Sequence, residues 1–218
     1  MNNIFDPLFI SLQITLFASI FATILGISIA YFMTNYNFKF KFVLEILFLL
    51  PIVLPPSVIG YLLLISVGNN SPIYNIIILI FGHSIIFTKV AAILSSTIVA
   101  FPIIYQASKI GFNNVNKDLK EVAVLENASN FTIFKKITLP LSKFAIISGI
   151  TLGTARAFGE FGATLMVAGN IPGKTQTLPI AIYMAMSQND MQLANIYVLT
   201  MITISIIFLI IIHFINKK

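Results

Sequence analysis

The sequence contains no cysteine, which excludes disulfides, thiolate metal sites and thiol redox chemistry. Its two histidines, His83 and His213, are too few and too far apart to suggest a metal centre. No glycine-rich loop ending in Lys and Ser or Thr is present, so a nucleotide phosphate has no cradle of that kind. The expectation is no catalytic residue, no metal and no cofactor. Charge is scarce as well: Asp, Glu, Lys and Arg make up 9% of 218 residues, against roughly 25% in soluble domains. With 58% hydrophobic residues, such a chain cannot coat itself against water.

The apolar residues fall into blocks rather than into a 3.6-residue stripe, which marks membrane helices rather than helices covering a soluble core. Five blocks reach the roughly 20 residues that cross a hydrocarbon layer of about 30 Å. They run approximately over 8–34, 42–67, 85–109, 141–168 and 193–214. The fold expected is an all-α membrane protein of about five transmembrane helices, in a single domain over 1–218. A further stretch, Ile73 to Phe81, has nine residues and reads as interfacial, re-entrant or part of a longer third span. No Lys or Arg precedes the first block, and it greatly exceeds the apolar core of a signal peptide. It reads as a retained helix, with Asp6 as N-cap and Pro7 at the first helical position.

The net charge of +6 is mostly topological. Ten of the thirteen basic residues fall on one side of a five-span chain: Lys39, Lys41, Lys109, Lys117, Lys120, Lys135, Lys136, Lys143, Lys217 and Lys218. Lys174 and Lys89 fall on or near the other side, and Arg156 lies inside the fourth span. Positive residues mark the cytoplasmic side, so the expected orientation is N-terminus outside and C-terminus in the cytoplasm. Nucleic acid is not an expected partner.

The longest polar segment, about 110–140, reads as two short helices. Asn116 can cap the first, with Asp118 in its opening turn, and Asn127 can end it in a left-handed conformation. Ser129 or Asn130 can cap the second, which carries Phe131 and Phe134. The apolar faces of such helices need either the membrane surface or a groove on another protein.

Two spans carry polar groups or breakers. Arg156 and Glu160 in the fourth cost roughly 2.5–3.5 kcal/mol each near a membrane centre, so both must face protein or water. Either they form a register-fixing ion pair in a tightly packed helix, or they line a pathway. Gly149, Gly153, Gly159 and Gly162 permit close approach by a neighbour. In the second span, Pro55, Pro56 and Ser57 mark either a packing kink or a discontinuous helix near a gate.

Glu121, Val122 and Ala123, then Asn127, Ala128 and, further on, Ile137, Leu139 and Pro140 keep the spacing EAA-x3-G-x9-I-x-L-P. This resembles the coupling loop of bacterial ABC importer permeases, with Val122 in place of the first motif Ala and Asn127 in place of the Gly. LPIVLPPSVIGYLLL in the second span and GEFGATLMVAGNIPGKTQTLPIAIY from Gly159 resemble the molybdate permease subfamily. Sulfate and tungstate permeases have related segments. The resemblance implies a type I importer fold and two copies of the chain around a central pathway. It also implies cytoplasmic ABC ATPase subunits docking on the loop, with Lys120 and Glu121 as polar contacts, and an extracytoplasmic oxyanion-binding protein. The implied location is the bacterial inner membrane, with lipid around the chain. Pro55, Pro56, Ser57, Arg156, Glu160 and Thr164 are the expected pathway or gate residues. Two other classes fit the sequence less well: an ion-coupled secondary transporter, for which inverted repeats are not evident, and a membrane-embedded enzyme, for which the spans offer only Arg156 with Glu160.

Overall fold

In the computed structural model, residues 5–216 are described, with side-chain surroundings through residue 210. Lys217 and Lys218, counted above among the positives of one side, and the side chain of His213 lie outside the described residues. Among the described residues, three helices are long and apolar enough to cross a membrane unbroken: α1 (Asp6–Asn35), α5 (Lys89–Asn113) and the Met191–Ile210 part of α12 (Met191–Asn216). Two bent pairs bring the number of candidate spans to five. The fold is that of an all-α membrane protein.

The centre of the bundle is α1 against α5 and α5 against α9 (Lys143–Phe158). Small side chains explain the closeness. Ala18, Ala22, Gly26 and Ala30 recur every fourth residue on α1 and are buried. A Cβ built on Gly26 would stand 2.9 Å from the Ile104 side chain. From the other side Gly149 and Gly153 of α9 meet Ala107 and Ile104. In lipid there is little hydrophobic drive between helices, so surfaces of this kind associate by close packing. The N-terminus of α1 corrects one expectation: Phe5 occupies the cap position without a side-chain bond, and Asp6 lies inside the first turn. There it complements the positive end of the helix dipole instead of capping it.

The expected second span, 42–67, is two helices, α2 (Lys41–Val53) and α3 (Pro56–Val67), whose axes turn by 120°. Each proline disfavours a helical conformation in the residue before it. Leu54 precedes Pro55 and Pro55 precedes Pro56, and both are extended, with ψ of 141° and 139°. The pair still traverses the length of α5: Glu45 meets Lys109 at one end, and Leu64 and Val67 pack near Ile86 and Leu94 at the other. The stretch Ile73 to Phe81 forms the eight-residue α4 (Tyr74–Phe81), about 12 Å long and too short to cross by itself.

The expected fourth span, 141–168, is also interrupted. After α9 the chain breaks over Gly159 to Phe161 before α10 (Gly162–Ala168). A loop then leads into α11 (Leu178–Ser187), which packs against α12. The loop between α5 and α9 holds α6 (Lys117–Leu125), α7 (Asn130–Ile133), a π-helical turn (Phe134–Thr138) and α8 (Leu139–Leu141). The segment Asn130–Leu141 meets α9 at 72°.

Candidate functional site

Two regions collect the residues singled out from the sequence. The first is where the two broken helices touch. Gly60 of α3 lies so close to α10 that a Cβ there would stand 2.9 Å from Ala163 Cα, and one on Gly162 would stand 3.1 Å from Pro56 Cβ. The interruption after α9 therefore rests on the first turn of α3. Pro55 and Ser57 are exposed beside it and Pro56 is half-buried.

Glu160 sits in the break and is nearly sealed, its side chain 1% exposed against 36% for Arg156. One carboxylate oxygen accepts from the Arg156 guanidinium at 2.7 Å, and the other accepts from the Ala163 backbone N–H at 2.8 Å. The second bond satisfies a donor in the first turn of α10 that has no intrahelical acceptor. Glu160 thus joins the two halves of an interrupted helix while holding Arg156, whose remaining donors have no partner among the described residues. An arginine so placed can offer a planar set of donors to an oxyanion. Thr164 is another of the residues expected on the pathway. It is buried and shares a 3.0 Å hydrogen bond with Ser95 of α5.

The second region is the loop at the Lys109 end of the bundle. Asn116 caps α6 by accepting from the Asp118 N–H at 2.9 Å, and Asn127 takes a positive φ of 58° at its end. The Ala128 N–H returns to the Ala123 carbonyl at 2.9 Å, closing the turn in which the motif has Gly. Ser129 caps α7 through the Thr132 N–H. The π-helical turn follows, with the Leu139 N–H reaching Phe134 O. It precedes Pro140, which has no N–H to continue an ordinary helical ladder.

On this loop Lys120 and Ala123 are half-buried, whereas Glu121 and Val122 are exposed. Burial, with a smaller contribution from Lys117, holds the Lys120 ammonium below the ordinary lysine pKa. Leu119, Val122, Val124 and Phe131 leave an apolar face uncovered, and Leu125 is 81% exposed. Ile137 and Leu139 are half-buried and Pro140 is exposed. Phe134 ties the loop to the bundle, its ring 4.4 Å from Tyr31 of α1 and 6.0 Å from Phe112 of α5. Sequence reasoning placed Phe134 on the second helix without assigning it this anchoring role. The signal was an aromatic at both helix ends, Tyr31 and Phe112, whose proximity only the fold creates.

Residues 22–218 match the family described as binding-protein-dependent transport system inner membrane component. The chain belongs to this family. Among relatives of this transport component, YvgM of Bacillus subtilis is 42% identical over 217 residues, covering 100% of this chain and 94% of its own length. The molybdenum transport system permease protein ModB of Haemophilus influenzae is 40% identical over 174 residues, covering 80% of this chain and 76% of its own length. A bacterial ABC transporter involved in import of the acidic polysaccharide alginate superposes with a TM-score of 0.80 at 12% identity, over 97% of this chain and 78% of that one. That likeness is one of fold, the type I ABC importer permease fold. In this transport component the two broken helices and the loop at the Lys109 end lie on one connected unit, since α9 leads directly from one to the other.

Proposed function

We propose that the chain is the permease subunit of an ATP-driven molybdate importer. Two copies enclose the pathway between them, cytoplasmic ABC ATPase subunits engage loop 110–140, and an oxyanion-binding protein delivers substrate on the opposite face. ATP hydrolysis belongs to the separate subunits. The N-terminus lies outside and the loop lies in the cytoplasm of a bacterial inner membrane, as the distribution of lysines favours.

The observation that carries this reading is the exposed apolar and charged face of α6, fixed by capped helix ends and anchored through Phe134 to α1 and α5. A loop held so firmly transmits force, and α9 carries the displacement to Arg156 and Glu160. Closure of the ATPase pair draws the loops of the two copies together, and the pathway turns from inward-open to outward-open. Molybdate is supported as substrate by the 40% identity to a molybdenum permease and by the open guanidinium donors of Arg156.

The test is uptake of molybdate into liposomes holding the permease pair and its ATPases, with the binding protein outside and tungstate and sulfate as competitors. Vanadate should abolish uptake, and Glu121→Lys should leave hydrolysis while uptake falls. Uptake driven by an ion gradient without any ATPase would overturn the reading.

A further inference from the structure

At the end of the bundle away from loop 110–140, the first turn of α1, the loop after α10 and the junction of α11 with α12 enclose a cavity of about 230 Å³. We propose that this cavity is a socket for a single lysine or arginine side chain of the extracytoplasmic binding protein. The inference rests on the importer reading above and names a contact within it. Asp6 and Tyr31 stand at opposite ends of α1, 25 residues and roughly 38 Å apart at 1.5 Å per residue, so the cavity faces away from the loop that Tyr31 helps to anchor.

The chemistry of the walls selects the occupant. Asp6 lines the cavity and has no cationic partner within 4.0 Å among the described residues. Tyr197 is 8% exposed, lines the cavity and has no side-chain hydrogen bond among the described residues. Gln176 donates through Nε2 to Asn170 at 2.9 Å, which leaves its Oε1 as an acceptor. Pro7, Met184 and Leu193 supply apolar wall. Acceptors around a carboxylate fit a cationic head, and the apolar wall fits the methylene stem that carries it. An oxyanion is repelled by the same carboxylate, so the cavity is no station for the substrate.

The socket is also built before any partner arrives. Gly169 and Gly173 take positive φ of 68° and 74°, which lets the loop fold back on itself. The backbone N–H groups of Lys174, Thr175 and Gln176 all converge on the Ile171 carbonyl. Thr175 Oγ1 accepts from the Ile171 N–H, and the Leu178 N–H is held by Ser11 Oγ of α1 at 2.8 Å. Preorganisation of this kind lowers the ordering cost of docking.

The experiment uses the complete complex of permease and ATPases in nanodiscs, titrated with its binding protein at several salt concentrations. Asp6→Asn should weaken binding by about tenfold and flatten its salt dependence, and Gln188→Trp, at the rim, should weaken it by obstruction. Each variant is compared at equal amounts of assembled complex, which separates docking from folding. Asp6→Lys should be rescued by reversing one basic residue on the binding protein. Wild-type affinity and salt slope in both Asp6→Asn and Gln188→Trp overturn the socket while leaving the importer reading intact. Failure of the wild-type complex to bind the protein at all overturns both.

Discussion

Glu160 performs two tasks with two oxygens, and they separate by substitution. Removing the partner of a buried charge is destabilising, because that charge is left unpaired. Arg156→Ala strands a carboxylate whose side chain is 1% exposed, so the yield of folded protein should fall, in addition to transport. Glu160→Gln keeps an acceptor for the Ala163 N–H but withdraws the charge that holds Arg156. The expected result is near-normal folded yield with molybdate uptake per folded protein reduced at least severalfold. Measuring both quantities on the same preparations decides the matter: if Glu160→Gln transports normally, the pair serves only to fasten α9 to α10. The sequence displayed this pair through its i, i+4 spacing. The capping bond to Ala163 was not legible, because it exists only once the helix is interrupted.

At the scale of elements, the interruption of the second span was written in its residues and that of the fourth was not. Pro51 and Pro102 sit inside continuous helices, so a proline alone does not decide the matter. Adjacent prolines do, since Leu54 and Pro55 are both driven to extended ψ. In the fourth span no proline stands between Phe158 and Gly162; the break depends on Gly162 seating against Pro56 and on Glu160 serving the freed N–H. Those contacts are tertiary, which is why hydrophobicity alone gave one block over 141–168. Gly162→Val should therefore force α3 and α10 apart, a cost of about 1–3 kcal/mol from overpacking. Its melting temperature in detergent should fall clearly below that of Gly159→Ala, whose added Cβ meets nothing nearer than 3.7 Å. Equal melting temperatures would show that the two broken helices do not depend on each other.

Across the whole molecule, the proposed mechanism runs through α9, which starts at the 72° turn after loop 110–140 and ends at Phe158, two residues before Glu160. Transmission requires the loop to move as one body with the helices that hold it, and Phe134 is the side chain that joins them. The ring meets Tyr31 and Phe112 from two different helices, so truncating it loosens the joint without touching the exposed face of α6. Phe134→Ala should thus leave ATPase subunits bound and hydrolysing, while the molybdate imported per ATP hydrolysed falls several-fold. Phe134→Tyr, which keeps the ring, should preserve most of that ratio. Glu121→Lys alters the docking face instead, so its defect should grow with dilution of the ATPase, whereas the Phe134→Ala defect should persist at saturating ATPase. A Phe134→Ala complex with an unchanged ratio would mean that the displacement reaches α9 directly from the ATPase contact, with no need for a rigid loop.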